Sequence, residues 1–404
     1  MSSIHLPIDI LYNILGRLPV KDLIRYMSVC KSWRDLITHP NFISTHMNLH
    51  RNIDGYVLHH KMATTRTGLS CFSCLSYDKT YVEHSSFDIP FSCESVYFQL
   101  VGSINGLLCL SDSYQYFGRT IYLWNPSIWK LKVLRSSCFN HNYCDIGNFF
   151  AVGFGFDHHA NDFKIVRIMY FGDFYCPYVE KEPPRAEVYS LARNSWRRIG
   201  IKAGCYAIDK SATAVVRGAI HWFASRTKEA SGSNFILTFD FGSEEFGEIM
   251  LPRYHCDRGR PQVSLRVLRE SLALIVGWYN NYELIECWDV WVMGEYGMAE
   301  SWTKRYSIVP EERCFRCLGI INNNELVLDK STRQELVSYD LENMQFKHLA
   351  ISRYTKDVVD FSESLVLYNE GLHLTPREYL FVEGGIRLGK RKRSVFELLQ
   401  KKWL

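Results

Sequence analysis

The stretch Ile104-Asn105-Gly106-Leu107-Leu108-Cys109-Leu110, followed by Leu123-Trp124-Asn125-Pro126, sets a pattern that the rest of the chain repeats. Asn105-Gly106 is a hairpin-type turn signal, and four apolar residues leave it as a strand. The same phrase returns as Asn161-Asp162 before Phe163-Lys164-Ile165-Val166, and as Arg217-Gly218 before Ala219-Ile220-His221-Trp222. It recurs as Glu270-Ser271 before Leu272-Ala273-Leu274-Ile275, and as Asn323-Asn324 before Glu325-Leu326-Val327-Leu328. Counted on Gly106, Asp162, Gly218, Glu270 and Asn323, the intervals are 56, 56, 52 and 53 residues. Each interval holds a second hairpin, whose first strand is Leu123 to Asn125, Val188 to Leu191, Leu237 to Asp240, Val290 to Met293 or Val337 to Asp340. Four strands every 50 or so residues is the repeat of a propeller blade.

The repeating region runs from Tyr56 to Tyr368, which is 313 residues, and 313/53 is 5.9. The chain is therefore expected to be mainly β, with a propeller of about six blades. Tyr56 to Phe91 supplies the first blade, and Ser364-Leu365-Val366-Leu367-Tyr368 is expected to close the ring by pairing with it, which removes the open edges of an unfinished array. A pair of β-sandwiches is the structural alternative. The 24 Phe, 24 Tyr and 10 Trp, 14% of the chain, suit sheets.

Residues 5 to 40 differ from all of this. Ile10, Leu11, Ile14, Leu15 and Leu18 recur at helical spacing behind Pro7 and Asp9. Leu18-Pro19 ends that helix, a second fits Val20 to Met27, and a third fits Val29 to Thr38 before Pro40. Three helices this short are marginal alone. They also carry more apolar side chains than they can hide among themselves, from Leu6 and Ile8 to Trp33 and Ile37. Units of this size need a partner or other support, so the surplus reads as an interface, with packing on the rest of this chain as a cap as the alternative.

The run Leu6-Pro7-x-Asp9-Ile10-Leu11-x-x-Ile14-Leu15-x-Arg17-Leu18-Pro19-Val20-Lys21-x-Leu23, continuing through Val29-Cys30-Lys31-Ser32-Trp33-Arg34 to Pro40-x-Phe42, resembles the F-box of plant F-box proteins. The later phrases Ile104 to Cys109, Leu123 to Ser127, Gly153-Phe154-Gly155-Phe156-Asp157, Asp162 to Arg167, and Trp291 to Gly297 with Glu300 to Lys304 resemble the F-box-associated domain of the same proteins, the S-locus F-box type included. The resemblance implies three segments: an F-box over residues 1–45, a target-recognising propeller over 46–370, and an extension over 371–404. It implies a substrate-recognition subunit of a Skp–cullin–F-box ubiquitin ligase, with the chemistry supplied by other subunits. It also implies a Skp-type adaptor as partner, cullin and RING subunits through that adaptor, and a target protein for ubiquitination and degradation. Carried over by position, Leu6, Pro7, Ile10, Leu15, Leu18, Pro19, Val29, Cys30 and Trp33 are expected at the adaptor contact or directly supporting it. A propeller enzyme or ligand binder with a non-functional F-box is the alternative.

Other chemistry finds little support in the residues. There is no phosphate-binding loop, nucleophile elbow or H-E-x-x-H motif, and Gly153-Phe154-Gly155 lacks the third glycine of a dinucleotide loop. Cys71/Cys74 and Cys314/Cys317 are C-x-x-C pairs. They lie in strands, where residues three apart face opposite sides, and so read as structural thiols rather than a zinc site. His141/Cys144 and His158-His159 read as loop and turn residues. No catalytic residue, metal or cofactor is expected. Net charge is +4, yet the last 18 residues alone hold seven Lys or Arg against Glu397, 7 − 1 = +6, which leaves −2 for the body. That balance gives no footprint for nucleic acid. No signal peptide or spanning segment is apparent, and 13 scattered cysteines suit a reducing compartment. A cytoplasmic and nuclear location is expected, with Lys390-Arg391-Lys392-Arg393 as either an import signal or a solvated tail.

Target recognition is expected in aromatic-rich loops, with rings that only fill gaps between blades as the alternative. Tyr114, Tyr116 and Phe117 lie in one, Tyr143 in the next, and Phe174 with Tyr175 in a third.

Overall fold

The structure is a computed structural model that describes residues 7–50, 56–61, 71–75, 81, 83–89, 91, 98–112, 118–134, 149–171, 183–201, 206–207, 211–212, 214–226, 234–253, 261–279, 285–310, 314–321, 324–330, 336–349, 355–369, 372–373, 378–381 and 387–390. Helices α1 (Ile8–Leu15), α2 (Val20–Tyr26), α3 (Lys31–Ile37) and α4 (Pro40–Leu49) precede the strands. The fourth helix goes beyond the sequence reading, which stopped at Pro40. A proline at N1 lacks only an N–H that a helix start leaves unpaired, and His39 Nδ1 accepts the Asn41 N–H at 3.2 Å.

Antiparallel meanders follow, one per sequence repeat. Blade II is Phe98–Ile104, Leu107–Asp112, Ile121–Asn125 and Lys130–Leu134. Blade III is Phe149–Asp157, Asp162–Tyr170, Arg185–Ser190 and Ser195–Ile199. Blade IV holds Ala214–Val216, Ala219–Ser225, Asn234–Asp240 and Phe246–Met250. Blade V is Gln262–Leu268, Ser271–Tyr279, Ile285–Met293 and Trp302–Ile308, and blade VI is Cys314–Ile321, Glu325–Lys330, Leu336–Asp340 and Gln345–Leu349. Blade I is composite: Thr355–Phe361 pairs antiparallel with Tyr56–Lys61, which pairs with Cys71–Leu75 and then Glu83–Asp88.

Hydrogen bonding gathers these meanders into five sheets of four or more strands rather than about six. The single pair Ile285↔Cys314 joins blades V and VI into one eight-stranded sheet. Packing still separates them, because six apolar seams run between successive meanders: Phe72, Phe91 and Trp124 between I and II; Leu123, Phe154 and Ile165 between II and III; Val166, Trp222 and Phe239 between III and IV; Ile236, Leu274 and Trp302 between IV and V; Ile275, Trp288 and Leu328 between V and VI; Val57, Ile321 and Val327 between VI and I. The inner strands of the blades are therefore buried on both faces, which is why Leu107–Asp112, Asp162–Tyr170, Ala219–Ser225 and Ser271–Tyr279 are buried along nearly their whole length, whereas outer strands such as Ser195–Ile199 stay largely exposed.

Ring closure differs from the sequence reading. The closing strand is Thr355–Phe361, whereas Leu365 to Tyr368 turn away from that sheet: Leu365 and Tyr368 pack under the helices, and Val366 and Leu367 enter the seam between blades II and III. The short strand Leu372–His373 then adds to the outer edge of blade II at Lys130–Leu131.

The repeated turns have a common chemistry. Asn105, Arg217 and Arg269 lie at φ of 50°, 50° and 48°, with Gly106, Gly218 and Glu270 also left-handed. These are the mirror-image turns that match strand twist. In blade V the pair sits one residue earlier than Glu270-Ser271. At the outer hairpins an Asx side chain caps the turn: Asp240 Oδ1 accepts from the N–H groups of Gly242 and Ser243 at 2.9 and 2.7 Å, and Asp340 Oδ1 accepts from Glu342 at 2.9 Å. Gly153 and Gly155 have a packing reason. A Cβ on Gly155 would fall 1.8 Å from the Phe241 ring, and one on Gly153 would fall 2.7 Å from Trp222. Among the described residues no helix is long and apolar enough to cross a membrane.

The helices rest on one rim of the ring. Leu15, Val20, Leu23, Met27, Ile37 and Phe42 form a core with Ile128 of blade II and Leu365. Met47 of α4 enters the seam between blades II and III, and Ser44 Oγ donates to Asn161 Oδ1 at 3.0 Å. Glu363 beside this joint has its carboxyl raised above the ordinary value by burial, against the pull of Lys21, with Asp22 adding to the rise. A raised carboxyl favours the folded state at low pH and loses that favour as pH climbs past the unfolded value of about 4.5. Glu363→Gln should therefore melt above the unsubstituted protein at pH 7.5, with the gap narrowing at pH 5. A gap that is absent or reversed at pH 7.5 would contradict this account of the joint.

Candidate functional site

The two Leu-Pro pairs each set a helix start. Pro7 and Pro19 immediately precede α1 and α2, and their carbonyls accept the first helical N–H groups at 3.0 to 3.1 Å. α1 ends at Leu15, three residues short of Leu18, so Pro19 opens α2 rather than stopping α1. α4 then ties the loop between them: His46 Nε2 bonds the Leu18 carbonyl at 2.8 Å, and His50 Nε2 the Gly16 carbonyl at 3.0 Å. Burial lowers His46 to about 4, and the nearby His50 adds to that while the Leu18 bond opposes it.

With one face of these helices buried on the propeller, the other is left apolar and open. Ile8 and Val29 are 60% and 61% exposed, and Ile10, Ile14, Ile24 and Tyr26 are exposed as well. Among the described residues, the only other large apolar side chains this open are Leu49 on α4 and Met250, Val309, Met298 and Met344 spread over the blades. Single exposed apolar groups are ordinary, but six within 22 residues of chain mark a binding face.

Of the residues expected at an adaptor contact, Pro7, Ile10, Pro19, Val29 and Cys30 are exposed. Leu18 and Trp33 are half-buried against the helical core, where Trp33 meets Tyr26 edge-on at 5.6 Å, and Leu15 is buried inside it. Leu6 lies outside the described residues. Ile8, Ile14, Ile24 and Tyr26 were not among the expected site residues; the i, i+4 pair Ile10/Ile14 was the available signal, since helical neighbours at that spacing share a face.

The residues expected to bind a target, Tyr114, Tyr116, Phe117, Tyr143, Phe174 and Tyr175, also lie outside the described residues. Their flanks are described. The helices meet the ring at the turns of Ile128 and Asn161, and Ser362 and Ser364, next to the Leu365 that packs under the helices, lie against the turn of Gly106, whereas Asp112 and Gly118, Leu134 and Phe149, and Phe171 and Pro183 stand at the opposite strand ends. The described flanks of all three segments thus stand on the rim away from the helices.

Those strand ends are tied together. Arg167, buried in blade III, donates from Nε to Glu187 Oε1 at 2.8 Å and from Nη1 to the carbonyls of Gly118 and Arg119 at 2.6 and 3.2 Å. Its guanidinium lies 5.4 Å from the Phe150 ring and 4.6 Å from that of Trp196. Arg185 lies 4.9 Å from the Phe171 ring. Neither arginine was singled out in the sequence. Cys317 of the second C-x-x-C pair faces the V–VI seam, turned from blade I, which holds Cys71 and Cys74, and burial raises its thiol. Among the described residues no group of three His, Cys, Asp or Glu is placed to hold a metal.

Two family models match: the F-box domain over residues 4–45 and the F-box associated beta propeller domain over residues 31–367. The chain is 30% identical to F-box protein At3g07870 of Arabidopsis thaliana over 380 residues, covering 85% of this chain and 87% of that protein. It is 28% identical to the F-box/kelch-repeat protein At3g23880 of Arabidopsis thaliana, covering 86% and 91%. It is also 28% identical to F-box protein CPR1 of the same plant, covering 91% and 90%. A helical unit with an open apolar face, a propeller built on the 50-odd-residue repeat and these two matches agree, and the chain belongs to the F-box proteins that carry an F-box associated beta propeller domain.

Proposed function

We propose that the chain is the target-recognition subunit of a Skp–cullin–F-box ubiquitin ligase. The open apolar face of α1, α2 and the turn at Val29 docks a Skp-type adaptor, and through it the cullin and RING subunits. The rim away from the helices holds a target protein. The chain contributes no catalytic residue; it accelerates ubiquitin transfer by holding the target near an enzyme bound elsewhere in the assembly, an effect of proximity. It works in the cytoplasm and nucleus. The observation that carries this reading is the cluster of exposed apolar side chains on the unit that matches the F-box, because a folded chain leaves such a face open only for a partner.

The test is co-purification of the full chain with a Skp-type adaptor. Ile10→Asp combined with Val29→Asp should weaken adaptor binding by at least about a hundredfold, the loss of two interface anchors. Both residues are exposed, so the melting temperature should stay within a degree or two. Undiminished capture of the adaptor by this double variant would overturn the assignment.

A further inference from the structure

The helical unit does not own its core. α1, α2 and α3 have 8, 7 and 7 residues, too short to hold together without tertiary packing. That packing is completed by residues far away in the chain. Leu365, 1% exposed, and Ile128, 6% exposed, sit in the same cluster as Leu15, Val20, Leu23 and Ile37, with Tyr368 packed alongside.

Leu365 and Tyr368 belong to a strap, residues 362–369, that begins directly after the closing strand Thr355–Phe361. Blade II pins the strap. Asn125 Nδ2 donates to the carbonyls of Ser364 and Val366 at 2.9 and 2.8 Å, and Gly106 passes so close that a Cβ there would fall 2.6 Å from the Ser362 carbonyl. Val366 and Leu367 are buried in the seam between blades II and III, beside Met47 of α4. Asn369 Nδ2 reaches the Thr38 carbonyl at the end of α3 at 2.7 Å. Neighbouring strap residues thus face the helices and the blades in turn.

We infer that the F-box of this chain acquires its ordered, adaptor-binding form only when the propeller ring has closed and seated the strap. The helices are made first and completed last. A chain that stops before residue 362 lacks Leu365 and Tyr368, so its helices stay loose, and adaptor engagement selects complete receptors. The inference rests on the adaptor reading above, and the experiment separates the two.

Asn125→Asp in the full chain keeps the size of the side chain and the oxygen that accepts the Ser127 N–H at 2.9 Å, but it sets a carboxylate against two strap carbonyls. Leu365→Ala removes strap packing and leaves every strand of the ring in place, its ring neighbour in the helical core being Ile128 in a turn of blade II. Hydrogen–deuterium exchange of each protein alone should show amides of residues 8–49 exchanging at least about tenfold faster in both variants, while the inner strands of blades IV and V keep their rates. A Skp-type adaptor should bind both variants at least about tenfold more weakly than the unsubstituted chain. Helices that keep full protection in both variants overturn the inference. So do helices that loosen while adaptor affinity is unchanged, since the adaptor would then supply the order itself. If the helices loosen as expected but the unsubstituted chain does not bind the adaptor, the coupling stands and the adaptor reading falls.

Discussion

Arg167→Met should lower the stability of the propeller by about 3–5 kcal/mol, the scale for removing one partner of a buried ion pair. Arg167 is 3% exposed and Glu187 0%, so the carboxylate that loses its cation has no route to water. The guanidinium also closes the Gly118 and Arg119 carbonyls and lies over the rings of Phe150 and Trp196. A methionine replaces the packing and none of the donors. Arg167→Met with Glu187→Met should recover part of the loss, because the carboxylate leaves together with its Arg167 partner, though the two carbonyls still lack their donor. Urea unfolding of the four proteins of this cycle measures the coupling. A single variant that costs under about 1 kcal/mol, or a double variant no better than the single, would show that the pair is solvated in solution. Adaptor binding should hold in every case, since Arg167 lies near the opposite rim.

The repeat made much of this fold legible. Turn residues at intervals of 52 to 56 report blades because each blade needs the same two hairpins, and the Asx caps at Asn125, Asp240 and Asp340 recur with them. What the repeat could not report is whatever breaks it. The closing strand Thr355–Phe361 belongs by sequence after blade VI but pairs with Tyr56–Lys61, and no local pattern distinguishes a strand that ends one blade from one that begins another. Leu365 to Tyr368 has a strand's composition, yet Leu365 and Tyr368 pack with helices more than 300 residues earlier, while Val366 and Leu367 fill the seam between blades II and III. Lys164 and Arg167 show the same limit. Cations in a strand are ordinarily solvent-facing, but both of these are buried: Lys164 turns to blade IV, where it meets Asp157, the Phe241 carbonyl and Glu244 at 2.7 to 2.8 Å, and Arg167 turns to blade II. The adaptor face was easier to find, because its surplus of apolar residues is local. Its exact members were not, since which side of a short helix is covered depends on where the propeller lies.

Acid should weaken this protein from about pH 6.5 downward, above the range in which ordinary carboxylates protonate. Two histidines are held neutral inside it. His46 is buried beneath α1, with Nε2 on the Leu18 carbonyl and Nδ1 unbonded. His221 is buried in blade IV, with Nδ1 3.0 Å from the Ala214 carbonyl and Nε2 3.0 Å from the Tyr296 hydroxyl. Burial lowers each from 6.5 to about 4, and their backbone hydrogen bonds offset only part of that. Because the folded value lies below the unfolded one, the unfolded chain takes up protons that the folded chain refuses. Stability is therefore full above pH 6.5 and falls as pH drops from there toward 4. At pH 5 the loss is about 2 kcal/mol for each histidine, 1.5 pH units below the unfolded value at 1.36 kcal/mol per unit. His46→Gln with His221→Gln should flatten the fall between pH 7.5 and pH 5 by about 3–4 kcal/mol in urea unfolding. The single variants should divide it by location. With His46→Gln, the helices keep their exchange protection in acid while the blades loosen, and with His221→Gln the order reverses. Because His46 anchors the loop that presents Pro19, adaptor affinity should fall with acid in the unsubstituted chain and hold in His46→Gln. If the double variant and the unsubstituted chain lose stability in parallel down to pH 5, these imidazoles are hydrated in solution, and acid lability has another source.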